Sequence, residues 1–205
     1  MWFNPNFLSI ATENLMKPLT NFGITCMSMG FLVDPDSAIV WRGLMVMQAI
    51  EKLLRRVAWG PLDYLVIDMP PGTGDTQLTI SQHIPISGAV IVTTPQKIAM
   101  IDARKGVTMF KKVGVNILGI VQNMSYHQCG NCGTKHYLFN KDGAEQLAKD
   151  VQVDLLGDIP IDERIMQAAD SGTPFVLNHA DSPGAQTFRE IAKKIVAKLP
   201  EPFPV

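Results

Sequence analysis

No stretch of 18 uninterrupted apolar residues occurs in this 205-residue sequence, so no segment reads as a membrane-spanning helix. Positive charge is not in excess either. The 18 Lys and Arg stand against 19 Asp and Glu, a formal net charge of −1, whereas nucleic-acid binding needs a clustered basic surplus. Cysteine is scarce: three occur, two of them in a single Cys-x-x-Cys. That excludes a disulfide framework and fits metal binding or redox chemistry in a reducing compartment. The first basic residue is Lys17. The N-terminus thus lacks both the basic start of a secretory signal and the Arg-rich pattern of a mitochondrial transit peptide. Residues 1–14 read as an atypical leader, and residues 200–205 as a Pro-rich tail.

What is present is an ordinary globular composition, 46% hydrophobic and 18% charged, in a chain long enough to bury a substantial core. Apolar runs predict strands over 24–29, 64–67, 89–93 and 115–121, and a further strand and turn over 155–160. Those over 64–67 and 89–93 read as buried on both faces. Apolar positions at helical spacing predict helices over 42–57, 98–112, 142–149, 163–171 and 184–199. The last is basic and amphipathic, and its stripe reads as packing on the sheet rather than on a membrane. Strands alternating with helices predict a doubly wound, mostly parallel α/β sheet in one domain over residues 15–199.

In such sheets the ligand crevice lies at the carboxyl ends of the strands. The run Leu65-Val66-Ile67 stops there at an acid, Asp68, followed by Met69-Pro70-Pro71-Gly72-Thr73-Gly74-Asp75. The prolines end the strand, and the glycines let the backbone turn tightly and approach a ligand. Asp75 is placed to cap the next helix. An acid at a strand end before a Gly-rich loop reads as a Walker-B aspartate for Mg²⁺ and a loop that senses the γ-phosphate. Asn123 closes another strand, where its amide can read a base edge or simply make a turn.

Cys129-Gly130-Asn131-Cys132 is the second centre. Its two-residue gap lets both thiolates face one metal, but one chain supplies only half of a four-sulfur site. Either His127 and His136 complete a mononuclear zinc site, or a second chain supplies the other pair. Cys26, inside an apolar run, reads as a small hydrophobe.

The full string from Asp68 to Asp75, with the segments over 26–33 and 40–47, resembles the Mrp and nucleotide-binding-protein-like branch of the MinD-like P-loop proteins. The likeness runs from about Leu15 onward. It implies a homodimeric carrier with a [4Fe-4S] cluster bridging Cys129 and Cys132 of two chains, delivering it to apoprotein clients. The likeness is greatest to members serving respiratory complex I, which implies complex I subunits as clients and a mitochondrial matrix location. With no visible transit peptide, the cytosol stays open. It further implies ATP and Mg²⁺ at Asp68, Gly72, Thr73, Gly74, Asp75, Asn123 and Pro160, with Asp68 on the metal and Asp75 as the switch-loop acid.

One departure stands out. The family's phosphate loop needs Gly-x-x-x-x-Gly-Lys-[Ser/Thr], and no Gly-Lys pair occurs anywhere in this chain. The expected fold therefore lacks the N-terminal P-loop strand, and independent ATP hydrolysis is not expected. Two rival readings remain: a positioning switch ATPase of the same fold, and a zinc-stabilised interaction module.

Overall fold

The computed structural model describes residues 10–11, 15–33, 43–70, 72 and 74–200. Two compact units are distinguished, residues 2–80 and residues 81–205.

The larger unit is built on a three-stranded parallel sheet in the order β5 (Ala89–Thr93), β6 (Ile117–Gln122), β9 (Leu155–Asp158). Between them run α3 (Lys97–Lys112), a two-stranded hairpin of β7 (His127–Gln128) and β8 (Lys135–His136), and α4 (Gly143–Val151). The chain closes with α5 (Glu163–Asp170), α6 (Phe175–Asn178) and α7 (Pro183–Val196). The period-2 alternation of the strands divides the sheet into two packed faces. Val121 and Leu156, with half-buried Val90, pack with Ile191, Phe188 and Ile195 of α7. On β5 the neighbouring Ile91 instead approaches α3 at Gly106. α4 packs on α3 and β6. Helices α3, α4 and α7 thus cover a parallel sheet, which is the expected architecture.

Side-chain caps mark the starts of α7 and α5. Ser182 accepts the Ala185 N–H at 3.2 Å, with Pro183 at the first turn of α7, and Asp162 accepts the Arg164 N–H at 2.9 Å ahead of α5. α4 ends at Gln152 in the left-handed conformation, φ 57°.

The smaller unit holds two antiparallel hairpins, β1 (Ile10–Ala11) with β2 (Leu15–Met16), and β3 (Leu19–Asn21) with β4 (Ile24–Cys26). Helix α1 (Gly43–Arg55) follows, then α2 (Asp75–His83), which runs into the larger unit. Phe22 and Gly23, both at positive φ, make the two-residue turn that fits a hairpin's twist. Residues 24–26 therefore form a hairpin strand rather than one of the parallel sheet, and Met16 forms a bridge with Val57.

The largest difference from expectation lies at 64–67. This run joins no sheet among the described residues, and Tyr64, Leu65 and Val66 are exposed, Val66 at 89%. An apolar run forms a buried strand only where neighbours offer it hydrogen-bond partners and cover. Among the described residues neither is present. β5 departs less: Ala89, Ile91 and Thr93 are buried, but Val92 is 61% exposed, so one face is partly open.

Candidate functional site

The cysteines occupy the tip of the β7–β8 hairpin. His127 pairs with His136 and Gln128 with Lys135. The ladder then continues as the Cys129 N–H donates to the Thr134 carbonyl at 2.9 Å, and the Gly133 N–H to the Cys129 carbonyl at 2.9 Å. Gly133 turns the chain at φ 71°, a conformation costly for a residue with a Cβ. Cys129 is half-buried and Cys132 exposed. Beneath them Tyr126 and Tyr137 are 6.2 Å apart by ring centroids, with the Lys135 ammonium 4.1 Å over the Tyr126 ring.

The Cys132 thiol is electrostatically prepared. Cys132 Sγ lies 3.2 Å from Thr134 Oγ1. The Thr134 hydroxyl first, then its backbone, then the Cys129 thiol, stabilise the charged form and lower the Cys132 pKa from an ordinary 9.0 to about 7. The lowered pKa raises the share of Cys132 present as thiolate at neutral pH, the form that binds metal and attacks electrophiles. Thr134→Val is expected to move the midpoint of Cys132 alkylation by iodoacetamide up toward the ordinary thiol value. An unchanged rate-against-pH profile overturns the assignment. His127 and His136 are register partners, but no three His, Cys, Asp or Glu side chains gather in metal-holding geometry among the described residues. One chain thus brings two cysteine thiols to this hairpin tip.

The hairpin is rooted in the carboxyl edge of the sheet. The Ser125 N–H and hydroxyl both donate to the Ile159 carbonyl, at 2.9 and 3.0 Å, and the Ile161 N–H donates to the Tyr126 carbonyl at 2.7 Å. Residues 125–127 and 159–161 thereby extend the β6–β9 pairing past the sheet's end. Asn123 lies just ahead of the first extension and Pro160 on the second, both half-buried. Asn123 Oδ1 accepts the Met124 N–H at 2.9 Å, and Met124 takes a left-handed φ of 52°. Asn123 is thus a turn residue whose side-chain oxygen already has a partner, with the amide nitrogen as its donor end. The structure brings Asn123, Pro160 and the cysteine hairpin to one edge of one sheet.

Asp68 and its loop belong to the smaller unit. Asp68 is exposed on an extended segment that joins no sheet among the described residues, not at the end of a buried strand. Gly72 takes φ 101°, which explains a glycine there, and Gln77 Nε2 donates to the Pro70 carbonyl at 2.8 Å, tying the loop to α2. The Leu78 N–H reaches the Gly74 carbonyl at 3.4 Å, so Gly74, not Asp75, flanks the helix and Asp75 is its first residue. Thr73 and Pro71 lie outside the described residues, as do most of the leader, positions 40–42 of the family-like segment and the tail beyond Pro200.

Two residues at the sheet edge were not singled out from sequence: Gln122, 3% exposed, and Asp158, its register partner on β9. The available signal was the one used for Asp68, a polar residue closing an apolar strand. Burial raises the Asp158 carboxyl above its ordinary range, against the lowering effect of the Gln122 hydrogen bond and the Lys135 charge.

A family model described as ParA: NUBPL iron-transfer P-loop NTPase matches residues 5–196. A mouse protein named iron-sulfur cluster transfer protein NUBPL is 57% identical over 190 residues, 93% of this chain and 60% of its own length. An Arabidopsis thaliana protein named iron-sulfur protein required for NADH dehydrogenase, mitochondrial, is 46% identical over 186 residues, 91% of this chain and 59% of its own. Among solved structures, the nucleotide-binding protein of Archaeoglobus fulgidus in complex with ADP superposes with a TM-score of 0.68 at 38% identity. That match covers 82% of this chain and 65% of the other. The chain spans about 60% of the length of these two curated relatives. A match over nearly its whole length places it plainly: the chain belongs to the NUBPL iron-transfer P-loop NTPases of the ParA type.

Proposed function

We propose that this chain is an iron–sulfur cluster carrier that holds a [4Fe-4S] cluster between two copies of itself and passes it to client apoproteins. The observation that carries this reading is the half-site. Cys129 and Cys132 stand at the tip of a hairpin, with no third His, Cys, Asp or Glu gathered beside them among the described residues. A cubane cluster takes four thiolates, and a two-fold axis through it supplies the second pair from an identical chain. Transfer is then stepwise ligand exchange: client thiolates replace Cys129 and Cys132 of both chains on iron, and each cysteine leaves as thiolate, with no net redox change. A thiol near pKa 7 suits both holding and leaving.

Nucleotide chemistry is assigned to the remaining positions of the family pattern. Asp68 holds Mg²⁺, Asp75 is the switch-loop acid, Gly72, Thr73 and Gly74 lie along the phosphates, and Asn123 with Pro160 takes the adenine. The shared sheet edge of Asn123, Pro160 and the hairpin supports placing nucleotide and cluster on neighbouring parts of one fold. Complex I subunits are the proposed clients and the mitochondrial matrix the proposed location, in line with the name of the Arabidopsis relative.

Anaerobic reconstitution with iron and sulfide, followed by metal analysis and mass measurement, tests the reading. The expected product is a brown dimer with about two cysteines consumed per chain. A colourless monomer holding zinc through His127 and His136 overturns it.

A further inference from the structure

Gln122 is the last residue of β6, and its side chain is almost completely buried at 3% exposure. Its carboxamide joins three segments at once. Nε2 donates to Asp158 Oδ1 at 2.8 Å, at the end of β9 and two residues before Pro160. The same nitrogen makes a longer 3.4 Å contact to the Lys141 carbonyl, in the segment returning from the cysteine hairpin. Oε1 accepts the Ala144 N–H at 2.9 Å, one of the unpaired donors in the first turn of α4. No side chain of α4's own start does this, since Asp142 makes no capping bond. That first turn is closely docked: a Cβ on Gly143 would lie 2.7 Å from the Pro95 carbonyl. The outgoing limb of the hairpin is fastened to the same β9 extension, through Tyr126 and Ile161. Both limbs therefore converge on the strand end that carries Pro160, one by backbone bonds and the other through Gln122.

The geometry points to Gln122 as the positioning residue that fixes the cysteine hairpin against the crevice edge at Asn123 and Pro160. A change at that edge, such as nucleotide occupancy, reaches the thiols through its carboxamide. The mechanical part of this stands on the hydrogen bonds alone; its consequence for cluster holding rests on the carrier reading above.

Hydrogen exchange by mass spectrometry on the metal-free full chain tests the mechanical part. Gln122→Met keeps the volume and removes every side-chain hydrogen bond. It is expected to speed exchange in peptides over 126–144 about tenfold and to leave α7 peptides over 183–196 within about twofold. Ile191→Val, which trims the core beneath α7, is the control and should show the opposite distribution. Equal acceleration of both regions by Gln122→Met means a merely structural role and overturns the proposal. Gln122→Glu gives a pH signature. It sets a second carboxyl against Asp158, which also feels Lys135 of β8, Glu145 of α4 and Lys194 of α7. A proton shared between the two carboxyls restores the bond in acid. Protection of 126–144 should thus approach the unsubstituted chain's near pH 5 and be lost by pH 8; a loss independent of pH counts against the link. On reconstituted protein, Gln122→Met should bind the same iron yet release it to bathophenanthroline about tenfold faster, with Ile191→Val unchanged. Equal release from both variants overturns the functional part. An unsubstituted chain that takes up no cluster overturns the carrier reading and leaves the exchange result to decide the mechanical part.

Discussion

Cys129→Ser and Cys132→Ser, each alone, are expected to abolish both the colour and the dimer of the reconstituted protein, whereas Cys26→Ala keeps both. The effect is large because of symmetry. One substitution in the chain removes two of the four thiolates of a bridging cluster, and serine, protonated at neutral pH, does not replace a thiolate on iron. If the cluster is the bond between two copies, its loss takes the dimer with it. Cys26 has a different setting: half-buried, it ends β4 of the β3–β4 hairpin, opposite Leu19. Iron content, visible absorption and mass by light scattering read all three variants. His127→Ala combined with His136→Ala is the counter-test, since it empties a Cys₂His₂ zinc site and spares a bridging cluster. Colour that survives in either serine variant, or that disappears with the histidines, defeats the assignment.

The helices were the legible part of this fold, because their signal is local. α1, α3, α4, α5 and α7 fall within a few residues of the ranges that apolar spacing predicts. Strands β5, β6 and β9 were legible as apolar runs for the same reason. The segment 64–67 shows the limit of that reading. Its composition is that of a strand covered on both faces, but cover and ladder partners come from other parts of a chain, which composition does not reveal. Val66 at 89% exposure is the result. The β3–β4 hairpin escaped notice because Phe22-Gly23 is a poor match to the Asn-Gly or Gly-Gly pairs that mark such turns.

At the candidate site the same division holds. Cys129 and Cys132 were readable from spacing and Asn123 from its place at a strand end, whereas Pro160 came only through the family resemblance. Gln122, Asp158 and Thr134 were not readable. Gln122 matters through Ala144, 22 residues on, and Asp158, 36 residues on, and no local pattern encodes a side chain that spans such intervals. Thr134 acts on Cys132 only because the hairpin folds its hydroxyl back to the sulfur.

Purified as these 205 residues, the protein is expected to show no steady-state ATP hydrolysis above background, and Asp68→Ala to leave that baseline unchanged. Phosphoryl transfer in this class of fold is catalysed almost wholly by positioning and by charge aimed at the transferring group. The main grip is a Gly-rich loop with its Lys, and the sequence contains no Gly-Lys pair with which to build it. Removing a single preorganised donor costs about 10²–10³ in rate where it has been measured in other enzymes. Losing several donors and a cation together is worth many orders of magnitude, at about 1.4 kcal/mol for each tenfold. What remains does not compensate. Asp68 is exposed, and a Mg²⁺ held by one solvated carboxylate offers no fixed orientation to the γ-phosphate. Gly72 and Gly74 supply only two glycines of a turn whose backbone bends at φ 101° before α2. Phosphate release, followed over hours at saturating ATP and Mg²⁺, is the measurement. Sustained turnover that Asp68→Ala abolishes would mean that a phosphate site forms without the loop, and that hydrolysis in this chain follows a different geometry.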